Sequence, residues 1–271
     1  MRAAVYLNRT GNGGISGQMT ALAEGFVRHG VAVSYFNGTP DFTADFAVVW
    51  GWRKGAHIRA QGFTKPILVA ERAYLPDRFE WTSLGWDGLN GRARWPEAQD
   101  RGERFWRYWG DKTYEWERFD GYWLIIGQVL GDAALTMVNF PKWVDETIEA
   151  LERKGVDVIF RPHPEAVRRG QTFNVPEYMI QQGPLSDALA EAACVVTWNS
   201  NTGVDAVLAG VPTITHDEGA MAWDVSSHSV FESLTTPNRE GWFRDMAWKQ
   251  WTMDEMRSGR AWEVVRSAMQ P

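Results

Sequence analysis

Small polar side chains occur where an apolar run, ACVVTW, is followed by residues at helical spacing. The first turn of a helix has backbone N–H groups without partners and carries the positive end of the helix dipole. Ser200 and Thr202 can add hydroxyl donors, Asn201 adds an amide, and Gly203 lets an oxygen approach the main chain. These groups suit a phosphate. Ser200 or Asn201 could equally be an ordinary helix cap, but the polar groups described next favour a phosphate-binding site.

A second polar group, RPHP, ends another apolar run, VDVIF. The prolines on either side of His163 stiffen the loop and restrict where the imidazole points. Arg161 offers a forked cation that suits a pyrophosphate, and His163 offers a second donor. A single histidine is more often structural than catalytic, but the end of a strand is a position that a ligand can reach. We therefore interpret both residues as phosphate contacts.

Gln128 and Asp132 follow a third apolar run, YWLII, and Asp205 lies about one turn into the helix after the first polar group. Asp205 could accept hydrogen bonds from ribose hydroxyls, or it could be a favourable acid in a first helical turn. Asp132 could contact a ligand, or it could cap the turn that follows it. These three residues are candidates for the less charged part of a ligand.

The polar groups belong to an α/β chain, because apolar runs typical of strands alternate with amphipathic helical segments. This alternation indicates parallel sheets that are covered on both faces. Ligands bind such sheets beyond the carboxyl ends of the strands. The groups at Gln128, His163 and Ser200 are therefore predicted to meet around one diphosphate.

The α/β pattern occurs twice. We predict two Rossmann-like lobes, residues 1–120 and 121–235, with a cleft between them. Two helices in 236–271 are predicted to cross back onto the first lobe, although routine packing explains their pattern equally well. In the first lobe, the glycine-rich NRTGNGGISG has neither the strict dinucleotide spacing nor a P-loop lysine. Its Gly13 and Gly14 would let the backbone approach a substrate closely.

The segment 73–120 has no long periodicity and is rich in Trp, Arg, Gly and acids. So long an irregular stretch is usually a functional loop region or a lid. The chain holds 16 tryptophans. They are either core residues or stacking surfaces for a planar ligand, and their abundance alone favours the core.

The composition, with 44% hydrophobic and 23% charged residues among 271, is that of a globular protein. The net charge of −6 argues weakly against broad adhesion to nucleic acid or anionic membranes. The single cysteine, Cys194, is expected to be a small buried hydrophobic residue. We expect a cytoplasmic protein without a membrane span or signal peptide. The five histidines lack metal-ligand spacing, and the acidic pair Asp217-Glu218 is expected to be solvated, so a metal-independent reaction fits better.

Three segments, GQVLGDAAL, RPHPE and SNTGVDAVLAGVPTIT, resemble in order and spacing the nucleotide-sugar-binding half of GT-B glycosyltransferases. The likeness is to the capsule-polysaccharide type and to short phage-encoded relatives associated with DNA modification, and it covers about residues 121–230. It implies that the donor phosphates are held by Arg161, His163, Ser200, Asn201, Thr202 and Gly203. It also implies that Gln128, Asp132 and Asp205 contact the sugar or nucleoside of the donor.

The resemblance implies that the base comes from the first lobe, where Glu71 at the strand end ILVAER is the candidate and Asp77 and Asp87 are rivals. A carboxylate there could take the proton of an acceptor hydroxyl, although Glu71 and Arg72 could simply form an ion pair. The candidate acceptor contacts are Arg72, Arg78, Trp81 and Trp86.

The expected activity is sugar transfer from a nucleotide donor, UDP-linked by preference, to a hydroxyl. The first expected acceptor is 5-hydroxymethylcytosine in double-stranded phage DNA, and a capsule-like glycan is the second. Polyol-phosphate transfer and a non-catalytic nucleotide- or glycan-binding module remain open alternatives.

Overall fold

The computed structural model describes residues 1–7, 13–36, 38–117, 120–136 and 138–269, with the backbone alone for 13–16. The strands are β1 (Arg2–Tyr6), β2 (Ala32–Phe36), β3 (Phe46–Trp50), β4 (Ile67–Arg72), β5 (Trp81–Trp86), β6 (Tyr122–Ile126), β7 (Val158–Arg161), β8 (Ala192–Thr197), β9 (Thr213–Thr215) and β10 (Gln250–Thr252). The α-helices are α1 (Gly13–Arg28), α2 (Trp52–Ala60), α3 (Glu103–Trp109), α4 (Phe140–Lys154), α5 (Pro164–Arg168), α6 (Leu185–Ala190), α7 (Thr202–Leu208), α8 (Glu240–Ala247), α9 (Met253–Ser258) and α10 (Arg260–Val265).

The chain forms two compact units. Unit 1 comprises Met1–Tyr108 with Phe243–Pro271, and unit 2 comprises Trp109–Trp242. Each unit has its own sheet, in the order β10-β5-β4-β3-β1-β2 in unit 1 and β7-β6-β8-β9 in unit 2. The predicted α/β class with two Rossmann-like lobes is confirmed. Within the part of the chain that the structure describes, no helix combines the length and apolar content that crossing a membrane requires.

In unit 1, β1, β2, β3 and β4 are parallel, whereas β5 runs antiparallel to β4 and β10 runs antiparallel to β5. The C-terminal helices α9 and α10 pack on α1, as the sequence predicts for the tail. Gly25 permits this packing, because a Cβ at that position would lie 2.0 Å from the carbonyl oxygen of Met256. The tail also contributes β10, a three-residue strand that the sequence analysis did not predict.

The core of unit 1 joins the tail to the sheet through aromatic side chains. The Trp262 ring stacks on Phe46 at 5.1 Å and meets Phe26 edge-on at 4.9 Å. The indole N–H of Trp86 donates to the carbonyl oxygen of Val265 at 2.8 Å.

The segment 73–120 is more regular than predicted. It contains β5 and α3, and all six residues of β5 are buried. A strand that is covered on both faces has no polar–apolar alternation, which explains why its sequence pattern is uninformative.

In unit 2, β7, β6, β8 and β9 are all parallel, so their carboxyl ends lie at one edge of the sheet. One face packs on α4 through Trp143, Val144 and Cys194, and the other face packs on α6 and α7 through residues such as Leu189 and Ala206. Cys194 is fully buried, and this burial raises the pKa of its thiol. The prediction that it is a small core residue is confirmed.

Candidate functional site

The carboxyl edge of the unit 2 sheet gathers polar residues from four neighbouring strands. Gln128 follows β6, His163 follows β7, Asn199 and Ser200 follow β8, and Asp217 follows β9. The close approach of β6 and β7 depends on Gly127, because a Cβ there would lie 2.9 Å from the Phe160 ring and 3.1 Å from the Arg161 carbonyl oxygen. Loops at this edge are the usual ligand site of a parallel sheet.

A buried hydrogen-bond network links three of these strand ends. Gln128, Asn199 and Asp217 are 7%, 4% and 7% exposed. The Gln128 amide donates to Asn199 Oδ1 at 2.8 Å, and the Asn199 amide donates to Asp217 Oδ2 at 2.6 Å. Asp217 is therefore not solvated, and the expectation for it was wrong. The sequence analysis gave no role to Asn199 or Asp217, although both stand directly after strands, a signal that could have identified them.

His163 presents one defined nitrogen to a ligand. Its Nδ1 accepts the backbone N–H of Glu165 at 3.0 Å and caps α5. Burial lowers the pKa of His163, and the negative charges of Asp132 and Glu165 oppose this shift only in part. The imidazole is therefore neutral at pH 7, and its proton lies on Nε2. This nitrogen is a hydrogen-bond donor.

Arg161 makes hydrogen bonds within unit 2 in addition to the phosphate contact that was predicted for it. Its Nη1 donates to the Gln181 side chain, and its Nη2 donates to the carbonyl oxygen of Gly183 at 2.9 Å. The guanidinium therefore fixes the loop at 181–183 beside the RPHP segment.

Asp132 caps the turn Ala133–Leu135 by accepting the Ala134 N–H at 2.9 Å, which was its alternative interpretation.

The backbone amides at the start of α7 do not form the open phosphate cradle that the sequence predicts. The N–H of Ser200 donates to Thr197 Oγ1 at 3.0 Å, and that of Thr202 donates to Ser200 Oγ at 3.2 Å. The N–H groups of Gly203 and Val204 donate to carbonyl oxygens of the preceding turn, each at 3.0 Å. These four N–H groups therefore have acceptors within the protein, and the side chains of this segment become the main candidates to hold an anion.

Gly203 also faces the sheet, because a Cβ there would lie 3.4 Å from the Thr197 methyl group. It serves helix packing and does not open a path to the main chain. Ser200, Asn201, Thr202 and Asp205 are all partly exposed at the start of α7. The hydroxyls of Ser200 and Thr202 and the side-chain amide of Asn201 are donors that this segment can offer.

An apolar pocket of about 640 Å³ adjoins the RPHP segment. Phe160, Pro162, Phe173 and Ile180 supply its walls, and Arg161 lies at its rim. A mostly apolar pocket with a few polar groups is typical of small-molecule sites. A larger groove of about 1360 Å³ lies at the opposite edge of the sheet, at the amino ends of β6 and β7. We assign the candidate site to the carboxyl edge, because the imidazole and the amide network lie there.

In unit 1, Glu71 lies at the carboxyl end of β4, and its Oε1 accepts the N–H of Trp52, the first residue of α2, at 3.3 Å. The Arg72 guanidinium lies 3.9 Å from the ring centre of Phe79, a side chain that is 73% exposed. Successive residues of a strand point to opposite faces. Arg72 therefore stacks on an aromatic ring on the face away from Glu71.

The other candidates in this region lie in the turn after β4 and at the start of α1. Asp77 is an exposed turn residue with a φ of 62°, and Arg78 donates to the carbonyl oxygen of Tyr74 at 3.2 Å. Gly13 and Gly14 are the first residues of α1, and the rest of the predicted loop at 8–12 lies outside the described residues.

The direction of β5 argues against Asp87 as the catalytic base. This strand is antiparallel to β4, so Asp87 lies at the amino end of β4, where it accepts the Ile67 N–H at 2.8 Å. Its carboxylate also pairs with Arg59, and with Arg94 at 2.8 Å. Its role is structural, at the edge opposite Glu71.

Trp81 and Trp86 do not provide stacking surfaces for an acceptor. They are 7% and 0% exposed. Trp81 packs edge-on against Tyr108 at 5.0 Å, and Trp86 is part of the unit 1 core. The alternative interpretation of tryptophan as core packing is therefore correct for both residues.

Two histidines of this edge should make stability depend on pH. His216 accepts the indole N–H of Trp143 on Nδ1 at 2.7 Å, and burial lowers its pKa as it does that of His163. Because the unfolded chain binds protons below about pH 6.5 more readily than the folded chain does, stability should be full above that pH and fall below it.

Chemical denaturation between about pH 7.5 and 5.5 measures this loss. The double variant His163→Asn/His216→Asn keeps an acceptor oxygen for both N–H groups but cannot titrate, so its stability should change less with pH. Equal slopes for the variant and the wild type would contradict the assignment.

The fold and the carboxyl-edge site define an α/β protein with two Rossmann-like units, one of which carries a candidate ligand site. No protein-family model matches the sequence. The comparison with curated proteins also finds no match. Among solved structures, the chain is similar to the β-Kdo 2,4 transferase of Thermosulfurimonas dismutans KpsC, with 14% identity, a TM-score of 0.62, and coverage of 92% of this chain and 91% of that one.

The β-Kdo 2,7 transferase of the same KpsC gives 12% identity, a TM-score of 0.62, and coverage of 93% and 92%. At this identity the likeness shows the fold alone. It agrees with the predicted GT-B-like architecture, and it gives no support to a resemblance to phage DNA-modifying enzymes.

Proposed function

We propose that the protein transfers a sugar from a nucleotide-sugar donor to an acceptor hydroxyl, and that unit 2 binds the donor. One observation carries the proposal. A neutral imidazole, a buried amide network and two hydroxyls lie at the carboxyl edge of one sheet, beside an apolar pocket. This combination suits a ligand with a flat apolar part and an anionic part.

The base of the nucleotide is assigned to the apolar pocket between Phe160 and Ile180, beside the loop that Arg161 fixes. The phosphates then lie toward His163 Nε2 and the hydroxyls of Ser200 and Thr202. Asp205 and Asp132 remain candidates for the ribose or the sugar. The N–H groups of Thr202, Gly203 and Val204 are given no role, since their hydrogen bonds are made within the protein.

The chemistry needs a base and a stabilised leaving group. We assign the base to Glu71, which takes the proton of the acceptor hydroxyl as the hydroxyl oxygen attacks the anomeric carbon. The bond from that carbon to the phosphate oxygen breaks, and the nucleotide leaves with the electron pair. Neutral donors such as His163 Nε2–H can stabilise the charge that develops on the phosphate.

A glycan hydroxyl is the acceptor that we favour. The two similar structures carry the names of a β-Kdo 2,4 transferase and a β-Kdo 2,7 transferase. The case for a hydroxymethylated base in DNA depended on the family resemblance, and two of the candidate acceptor contacts, Trp81 and Trp86, are buried. The net charge of −6 also gives no broad attraction to DNA. DNA is therefore the second acceptor to test.

The test is incubation with a panel of UDP-, GDP- and CMP-sugars, a Kdo donor included. Oligosaccharide acceptors and hydroxymethylcytosine DNA are supplied in separate reactions. We expect one donor class to release its nucleotide and one acceptor to gain the mass of a sugar. A phosphorus-containing product would indicate polyol-phosphate transfer instead. Tight nucleotide binding without any turnover would indicate a non-catalytic binding module instead.

A further inference from the structure

The direction of every hydrogen bond in the Gln128–Asn199–Asp217 network is fixed by chemistry. Asn199 Nδ2 carries two hydrogens, and they go to Asp217 Oδ2 at 2.6 Å and to the carbonyl oxygen of Ala134 at 2.8 Å. Both partners can only accept, because one is a carboxylate and the other is a backbone carbonyl. The Asn199 side chain therefore cannot rotate its amide by 180°, and its Oδ1 must face Gln128.

The orientation of Asn199 in turn fixes Gln128. Asn199 Oδ1 accepts from Gln128 Nε2 at 2.8 Å, and the backbone N–H of Asn199 donates to Gln128 Oε1 at 3.2 Å. The oxygen of Gln128 is thereby committed to the protein. Its amide nitrogen still carries a second hydrogen, and this hydrogen is the group that Gln128 can offer to a ligand at the carboxyl edge.

We propose that Asp217 is a positioning residue which, through Asn199, holds Gln128 as a hydrogen-bond donor toward an anionic oxygen of the bound donor substrate. The inference rests on the proposed function and deepens it, because it names the chemistry that Gln128 recognises. The anionic oxygen belongs either to the nucleotide phosphate or to a carboxylate on the transferred sugar.

Burial makes this arrangement selective. With all three side chains less than 10% exposed, an amide turned the wrong way would place two oxygens against each other without water to separate them. Such a buried mismatch costs more than the hydrogen bond itself contributes. The carboxylate of Asp217 also polarises the network, and hydrogen bonds that involve an ionised partner are the stronger ones.

A swap of Asn199 and Asp217 tests the proposal. Asn199→Asp alone places two carboxylates side by side. Asn199→Asp with Asp217→Asn restores the contact between the two positions, since the amide at 217 donates to the carboxylate at 199 and that carboxylate still accepts from Gln128. The hydrogen bond from position 199 to the Ala134 carbonyl oxygen is not restored. Isothermal titration with UDP, CMP and nucleotide sugars with and without a sugar carboxylate measures binding, and thermal unfolding checks the fold.

We expect Asn199→Asp to weaken binding by roughly tenfold to a hundredfold and the double swap to recover part of the loss. Equal losses for a nucleotide and its sugar derivative identify the phosphate, whereas a loss confined to the carboxylated sugar identifies the carboxylate. Unchanged affinity in Asn199→Asp, or a double swap that binds no better than Asn199→Asp, overturns the inference alone. A wild type that binds no member of the panel overturns the proposed function as well.

If Asn199→Asp does not fold, Gln128→Glu provides the test, because it has nearly the same shape and replaces the donor by a carboxylate. It should lose affinity by a similar factor. Unchanged affinity in Gln128→Glu would also overturn the inference.

Discussion

Replacing Arg104 by methionine is expected to lower the free energy of unfolding by about 3–5 kcal/mol, because it leaves a buried carboxylate without its partner. The Arg104 side chain is 8% exposed and pairs with Glu255, which is 21% exposed. Arg104 also donates to the carbonyl oxygens of Ala247 at 2.9 Å and Gln250 at 3.0 Å. Burial alone would raise the pKa of Glu255, but the hydrogen bonds and charge of Arg104 hold that pKa below its ordinary value.

Chemical denaturation measures this effect, and two further variants define its cause. Glu255→Gln keeps an oxygen for the N-terminal cap of α9, which Glu255 forms with Thr252, but removes the charge. It should destabilise the protein as well, and the double variant should lose less than the sum of the single losses. The matched control is Arg257→Met, because Arg257 pairs with Asp254 at a site where it is 43% exposed. That change should cost less than about 1 kcal/mol. Similar costs for Arg104 and Arg257 would contradict the argument.

Much of the fold could be predicted, because it depends on local patterns. The segment FPKWVDETIEALERKG has apolar residues at helical spacing and a final glycine, and it forms α4. Gly155 ends this helix with a φ of 76°, a conformation that glycine adopts without strain. Strands β6 and β7 were also predictable, since each comes from a short β-rich run that is followed by polar residues.

The topology of unit 1 was less predictable, because it depends on contacts between distant parts of the chain. Strand β5 pairs with β10, and Ser83 lies opposite Gln250. No local pattern in either segment reports such a partner. Because β5 is antiparallel to β4, Asp87 lies at the amino end of β4. The sequence alone does not show the direction of β5, so it could not distinguish Asp87 from Glu71 as the candidate base.

The candidate site was predictable in its location and not in its details. The rule that ligands bind beyond the carboxyl ends of parallel strands identified Gln128, His163 and Ser200. The acceptors of the N–H groups around the start of α7 were not predictable, because they depend on contacts such as that between Thr197 Oγ1 and the Ser200 N–H. The partnership of Asn199 with Asp217 likewise joins residues 18 positions apart. Both are facts of three-dimensional contact.

The Glu71→Gln variant is expected to lose about 10²- to 10⁴-fold in kcat, because the amide cannot take the proton of the acceptor hydroxyl. The substitution keeps the shape of the side chain, and its amide oxygen can still accept the Trp52 N–H that Glu71 Oε1 accepts at 3.3 Å. The fold and the KM for the nucleotide sugar should therefore change little. Initial rates at several donor concentrations separate the two parameters, since a lost transition-state interaction lowers kcat without raising KM.

The matched control is Asp87→Asn, which makes the same chemical change at the opposite end of β4. It should lower stability, because Asp87 pairs with Arg59 and Arg94, and leave kcat nearly unchanged. Nucleotide binding by Glu71→Gln should match that of the wild type in either case, which distinguishes a lost base from a lost donor site. A Glu71→Gln variant with full kcat would require the base to be sought elsewhere, and Asp77, which lies in an exposed turn after β4, would be the next residue to test.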